Sequence, residues 1–360
     1  FDFDPRMIGK VQGQVGRTVA GELRLRLSRA EHARLVQAGT ESREAYEAYL
    51  RGRHYWIKRT EEDIHRAATY FRAAIDADPA YAAAYAGLAD CYNQLATVLV
   101  GQSPAHYRAL AIAAARKAIE IDDELAEAHA ALGFSKLFDW DWATAELELN
   151  RALELNPSYA SARVWRSESL IMRRRFDEAV AEVERAAELD PLSPITQTQV
   201  GWIYKWAGRH AQAIAQFEKV LAADPNYPWA LVQLGGSYLI ARRFPEAVKT
   251  LEKAVDVSKG NPAMIGSLGE AYALSGRRDE AKRLLAGLER MAAKRYVTPM
   301  APAGICLALD DRDCFFRYLE KAYQERSNYI AFLNVAPPEE LYPAVRRDPR
   351  FQAMLRRLGY

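Results

Sequence analysis

Histidine, cysteine and paired carboxylates are the residues that could hold a metal or carry out acid–base and nucleophilic chemistry in this chain. The histidines are His32, His54, His65, His106, His129 and His210, and the cysteines are Cys91, Cys306 and Cys314. No histidine pair forms HExxH or lies at metal-ligand spacing beside a carboxylate or cysteine, and no CxxC occurs. We therefore predict no metal site, and we interpret the cysteines as buried, reduced thiols of a cytoplasmic protein.

Signatures of the common catalytic classes are also missing from the sequence. It contains no GxSxG, no Walker A motif, no kinase glycine-rich loop and no HRD. The stretch GQVGRT, residues 13–18, lacks the GKS or GKT ending of a phosphate loop. Acidic residues occur in RRFDEAV and GRRDEAK, which are typical of charged turns between helices. We predict no catalytic residues, no cofactor and no enzymatic activity.

The composition excludes partners that are recruited by a strong overall charge. The 360 residues include 49 Lys and Arg against 47 Asp and Glu, a net charge of +2. A balance so close to zero gives no global field to attract nucleic acid or an anionic membrane. No apolar run reaches the roughly 18 residues of a membrane helix. We predict a folded protein without direct nucleic-acid binding or membrane insertion.

The sequence repeats itself with a period of 34 residues. Alanine recurs at this interval at Ala111, Ala145, Ala179, Ala213, Ala247 and Ala281. Asp-Pro or Asn-Pro junctions separate the helical patterns, as in ADPAYAAAYAGLADCY, residues 77–92. Proline is tolerated in the first turn of a helix, where its missing N–H has no partner to lose. The pattern predicts helical hairpins that stack, because one hairpin cannot bury its apolar faces alone.

The small residues of this period are expected to let the two helices of a hairpin approach closely. We expect glycines such as Gly201 and Gly235, in the first helix, to face the repeated alanine of the second. The 34-residue spacing of small residue, aromatic, alanine and proline resembles the tetratricopeptide repeat. The resemblance implies an all-α, right-handed superhelix of about eight hairpins over residues 41–330 with a C-terminal capping helix.

The two ends depart from the period. In residues 1–40, the helical spacing of Ile8, Val11 and Val15 predicts one amphipathic helix with these residues on its apolar face. Residues 331–360 end in RRDPRFQAMLRRLGY, which predicts a short helix that covers the open end of the stack. The insertion TVLVGQSPAHY, residues 97–107, is either a partner-contact loop or an extra packed helical turn.

A closer resemblance covers essentially the whole chain. AYEAYLRGRHYW (45–56), LEKAYQER (319–326) and RRDPRFQAMLRRLGY (346–360) resemble the C-terminal half of bacterial regulatory proteins in which tetratricopeptide repeats follow a TolB-like domain. In that family residues 1–40 would be the last element of the TolB-like domain. Its members often carry an upstream winged-helix, adenylate cyclase or Ser/Thr kinase domain, and none of these is present here.

The resemblance also implies a concave groove lined by the first helices. The residues that the repeat geometry places there are Phe134, Phe138, Glu168, Met172, Trp202, Lys205, Trp206, Trp229 and Leu239. Trp and Met are typical anchors of protein interfaces. The alternative is that some of these tryptophans pack between repeats.

We therefore predict a non-catalytic scaffold of a bacterial signalling or transcription-regulatory protein. A protein or peptide partner would bind in the groove, and a homodimer is left open. The alternatives are the regulatory half of a cyclase or kinase and the sensor half of a winged-helix regulator.

Overall fold

A computed structural model describes residues 39–58, 60–97 and 104–360 of the chain. The predicted N-terminal amphipathic helix and part of the 97–107 insertion lie outside these residues. The described residues form eighteen α-helices and one 3-10 helix, and they contain no strand. The predicted all-α class is confirmed.

Sixteen of these helices form eight consecutive hairpins, whose first and second helices alternate along the chain. The first four hairpins are α1 (Arg43–Trp56) with α2 (Glu61–Ala77), α3 (Ala82–Leu95) with α4 (Pro104–Ile121), α5 (Ala126–Phe138) with α6 (Trp142–Leu155), and α7 (Ala160–Met172) with α8 (Phe176–Leu189). The last four are α9 (Pro194–Trp206) with α10 (His210–Ala223), α11 (Pro228–Ile240) with α12 (Phe244–Val257), α13 (Pro262–Leu274) with α14 (Arg278–Ala292), and α15 (Met300–Ala308) with α16 (Arg312–Gln324).

A repeated turn joins the two helices of most hairpins. After α11, Arg242 has a left-handed backbone (φ 57°), and the N–H of Arg243 donates to the carbonyl of Tyr238 at 2.8 Å. This bond satisfies one of the carbonyls that a helix end leaves without a partner. After α9 and α13, glycine takes the left-handed position at Gly208 and Gly276. The turn therefore has the same geometry whether glycine or arginine occupies it.

The Asp-Pro and Asn-Pro junctions connect one hairpin to the next by a side-chain turn. The Asp224 carboxylate accepts the N–H of Asn226 at 3.0 Å, and the Asn156 side chain accepts the N–H of Ser158 at 3.1 Å. Short Asp and Asn side chains commonly stabilise turns by bonding to the backbone two residues ahead. The residue before the proline thus ends one helix and helps to direct the chain into the next.

Within a hairpin, the first-helix glycine faces a large residue and not the repeated alanine. A Cβ on Gly235 would lie 2.5 Å from Cγ of Leu251, and one on Gly201 would lie 2.5 Å from Phe217. The expected glycine–alanine contact is therefore wrong. The missing side chain leaves room for a large apolar residue of the second helix, so the hairpin gains buried apolar area at its closest point.

The C-terminal residues do more than cover the end of the stack. The last helix, α18 (Pro349–Arg357), inserts Phe351 and Met354 into a core with Phe315 and Leu319 of α16, as expected of a cap. Between α16 and α18 lie a 3-10 helix (Asn328–Phe332) and the short α17 (Pro343–Arg346). We name residues 328–346 the strap, because they run back along the first helices of the array.

The cysteines differ from the sequence prediction. A disulfide joins Cys306 of α15 to Cys314 of α16, and Cys91 is buried in α3. The expectation of three reduced thiols is therefore wrong for one pair. The tight turn between α15 and α16 brings these two positions together, which their spacing of eight residues did not suggest. In the described part of the chain, no helix is long and apolar enough to cross a membrane.

Candidate partner-binding groove

The groove is the face formed by first helices of successive hairpins, which lie side by side. Helices α5, α7, α9, α11 and α13 each contact the next first helix as well as their own hairpin partner. The strap lies on this face, and its contacts reach from Phe138 at the end of α5 to Glu270 in α13. Five hairpins therefore share one continuous surface that is already occupied by a segment of the same chain.

An aromatic cluster holds the beginning of the strap. The ring of Phe332 lies 5.0 Å from that of Trp202 and 6.0 Å from that of Phe138, in edge-to-face arrangements. Such pairs contribute about 0.5–1.5 kcal/mol beyond the area they bury. Three residues later, Val335 packs among apolar residues that include Ile171 of α7. Ile330, Leu333 and Val345 are also buried, in the core shared with α16 and α18, so the strap has apolar contacts along most of its length.

Backbone-directed hydrogen bonds hold the strap between these contacts. The side-chain amide of Asn334 donates to the carbonyl of Met172 at 2.8 Å. This carbonyl is at the C-terminus of α7, where helix carbonyls lack partners within the helix. The carbonyl of Asn334 accepts in turn from Arg174 at 3.1 Å and Arg346 at 2.7 Å. The strap residue is thus bound through both its side chain and its main chain.

The sequence-predicted groove residues fall into two groups. Phe138, Met172 and Trp202 contact the strap directly. Phe134 packs on Phe138 and Trp165 beneath it, and Leu239 is buried in a core against which Leu341 of the strap packs. By contrast, Trp229 packs with Leu231 and Met264 between neighbouring hairpins. Some of the predicted groove residues therefore face the strap and Trp229 packs between hairpins, while their binding of a partner stays a prediction.

Glu168 of α7 is a buried carboxyl group with no positively charged partner among the described residues. Its side chain is 7% exposed and accepts a hydrogen bond from Gln199 of α9. Burial raises the pKa of Glu168 to about 8, and the bond from Gln199 opposes this rise. The neutral form therefore predominates at pH 7, because an ionised carboxylate is costly where water is excluded.

Lys205 of α9 is the cationic counterpart in the same groove. Its ammonium group donates to Gln233 of α11 at 2.6 Å and lies 4.7 Å from the ring of Trp206. Burial lowers the pKa of Lys205 to about 7, while the charge of Glu270 acts in the opposite direction. Near pH 7, the neutral and the charged form of Lys205 are therefore both populated.

Glu270 of α13 links the polar groups to the strap. Its carboxylate accepts the hydroxyl proton of Tyr342 at 2.7 Å. Burial raises the pKa of the Glu270 carboxyl, against the opposing effects of Tyr342 and Lys205. The groove floor therefore carries three buried ionisable groups on three hairpins, and the strap covers at least one of them directly.

Comparison with known proteins identifies the repeat. Tetratricopeptide-repeat models match residues 140–194, 207–256 and 238–298. Over these residues the chain consists of tetratricopeptide repeats. The Cut9–Hcn1 hetero-tetramer of APC/C is similar to it, with 15% identity over 92% of this chain and 60% of that chain and a TM-score of 0.57. Yeast Tom70 is similar with 17% identity over 89% and 69% of the two chains and a TM-score of 0.53. At these identities the likeness to both structures concerns the fold alone. The comparison with curated proteins found no match.

One residue important to the tetratricopeptide array was missed by sequence reasoning. Arg108, on the second helix α4, is 2% exposed and donates to the carbonyl of Arg326 at 2.9 Å and to Asn328. Burial lowers the pKa of its guanidinium to about 10. Arg326 in turn pairs with Asp139 at 2.7 Å. These contacts join hairpins far apart in sequence at the start of the strap, and the repeat period holds no signal for them.

The groove offers no metal site. Among the residues that the structure describes, no group of three or more His, Cys, Asp or Glu could hold an ion. The ionisable groups of the groove bond to neutral partners instead, Glu168 to Gln199 and Lys205 to Gln233.

Proposed function

We propose that this chain is a non-catalytic protein-interaction scaffold whose groove binds an extended segment of a partner protein. The observation that carries the proposal is the strap itself. A non-repetitive peptide segment lies along the first helices, with Phe332 between two aromatic rings and Asn334 bound through side chain and carbonyl. The same groups would bind a segment of another chain with the same chemistry.

The form of the strap favours an extended peptide over an amphipathic helix as the partner. Apart from one 3-10 turn and the four-residue α17, the strap is not helical and contains Pro337 and Pro338. Its contacts combine side-chain anchors with a main-chain carbonyl, which is the usual division between specificity and affinity in peptide recognition. The groove is thus matched to a chain that exposes its backbone.

The regulatory context of this scaffold rests on the resemblance to bacterial proteins with a TolB-like domain. In such a protein, binding of a partner peptide in the groove would change the activity of an output domain elsewhere in the chain. We propose a protein partner on this basis, and no direct role in nucleic-acid binding or catalysis.

Peptide selection would test the proposal. A displayed library of random 20-residue peptides is selected on the full wild-type chain and, in parallel, on Asn334→Ala, which lacks one strap bond. Selected peptides should bind at least about tenfold more weakly after Trp202→Ala, a loss typical of an interface anchor. Leu192→Ala is the matched control, because Leu192 is 91% exposed and away from the strap contacts. Absence of any Trp202-dependent peptide from both selections would refute the proposal.

A further inference from the structure

The strap and the proposed partner peptide require the same groups of the groove. Phe138, Met172 and Trp202 contact the strap, and the same three were predicted from the repeat geometry to contact a partner. With the strap in place Met172 is fully buried and Phe138 is 5% exposed. A second peptide therefore cannot reach these anchors until the strap moves.

We propose that the strap is an internal occupant that keeps the groove closed, and that the partner displaces it with a segment carrying the same anchors. These anchors are an aromatic residue two positions before an asparagine, followed about eight residues later by a tyrosine. The inference rests on the proposed function and adds to it the chemistry of the partner and the control of access.

The strap is attached to the C-terminal part of the array at both of its ends. Before the strap, Ser327 is buried and its hydroxyl bonds to that of Thr298 at 3.0 Å. After it, α18 is fixed to α16 by its apolar face and by the ion pair of Arg357 with Glu320 at 2.6 Å. The strap is therefore a loop held at both ends. Between these ends Ile330, Leu333 and Val345 are buried in the same core as α16 and α18, so displacement of the strap would expose part of that core as well as the groove.

The buried ionisable groups beneath the strap lower the free-energy cost of moving the strap out of the groove. Glu168, Lys205 and Glu270 are all buried, and burial opposes the charged form of each. Tyr342 of the strap lies directly on Glu270. When the strap lifts, water reaches this carboxyl group, and the recovered hydration offsets part of the contacts that are lost. A permanent core would be expected to fill this floor with apolar side chains.

Because the strap is tethered at both ends, it competes strongly with a free peptide for the groove. A segment linked to its own site has an effective concentration on the order of millimolar. The apparent affinity for a free peptide is then reduced by the fraction of molecules that are open. Weakening the strap should raise affinity for a peptide in trans without any change to the groove itself.

The test uses the full chain and a fluorescein-labelled synthetic peptide of residues 327–346, SNYIAFLNVAPPEELYPAVR. Fluorescence anisotropy is measured on the wild type and on Phe332→Ser/Asn334→Ala, with a scrambled peptide as control. We expect the double variant to bind the peptide at least about tenfold more tightly than the wild type. Trp202→Ala added to the double variant should reverse the gain, and Leu192→Ala should not.

Hydrogen exchange shows whether the strap has been released. The N–H groups of Ala336 and Tyr342 are bonded within the strap, at 2.8 Å to Phe332 and 3.0 Å to Pro338, and both should exchange faster in the double variant. Should this variant fail to fold by circular dichroism, Asn334→Ala replaces it, since that change removes a hydrogen bond and leaves the aromatic anchor.

Three results would overturn the inference. A strap that stays protected in both variants would be a permanent part of the core. Equal peptide binding by the wild type and a strap-released variant would show that the strap does not compete, and the proposed function would stand. No binding to a strap-released variant would refute both proposals.

Discussion

Replacing Glu168 by glutamine should stabilise the protein, and the gain should depend on pH. Glu168 is buried, and its pKa is raised from 4.5 to about 8 in the folded chain. The folded state therefore binds a proton that the unfolded state releases between these two pH values. By linkage, this carboxyl lowers the free energy of unfolding progressively as pH rises from about 4.5 to about 8.

The magnitude follows from the distance between the ordinary pKa and the working pH. Each pH unit that the folded state must hold the proton costs about 1.4 kcal/mol. The cost is therefore about 3 kcal/mol at pH 7 and under about 0.5 kcal/mol at pH 4.5. Glutamine keeps an oxygen that can accept from Gln199 but takes up no proton, so Glu168→Gln should recover this free energy.

Urea titrations of the wild type and Glu168→Gln from pH 4.5 to 8 would measure the difference. Lys205 and Glu270 also titrate in the groove, and taking the difference between the two proteins cancels their direct contributions. Glu154→Gln is the matched control, since the Glu154 side chain is 67% exposed and should change stability by no more than about 0.5 kcal/mol. A difference between wild type and Glu168→Gln that is constant with pH would refute the reasoning.

Two further predictions concern the packing of the hairpins and the attachment of the strap. Gly235→Leu should cost about 1–3 kcal/mol in thermal or urea denaturation, because its Cβ would meet Leu251 at 2.5 Å. Gly287→Leu, in a helical position with nothing within 4 Å, should instead gain up to about 1 kcal/mol, and equal effects would contradict the proposed packing. Tyr342→Phe should cost about 1–3 kcal/mol in urea at pH 7, because it removes the hydroxyl that donates to buried Glu270. An unchanged midpoint would show that this bond contributes nothing.

The sequence was sufficient to predict the repeated part of the fold. Most hairpins are specified locally, by an apolar period of 3.6 residues, an Asp or Asn at the junction and a glycine in the first helix. Repetition made these weak signals strong, because the same spacing recurs through successive units. The groove face was expected from the repeat geometry, and in the structure Phe138, Met172 and Trp202 of that face all contact the strap. The partner of the glycines was wrong because spacing along a helix does not say which residue of the facing helix is nearest.

Only the tertiary structure decided what covers that surface. The contacts of Arg108 with Asn328, of Phe138 with Phe332 and of Met172 with Asn334 each join residues more than 150 positions apart. Such contacts depend on the curvature that builds up over several hairpins, and no local pattern encodes it. Residues 328–346 have no repeat period and little helix, so the sequence showed only that they differ. The sequence alone thus determined a stack of hairpins with an aromatic face, and the accumulated curvature of that stack determined that the chain fills its own groove.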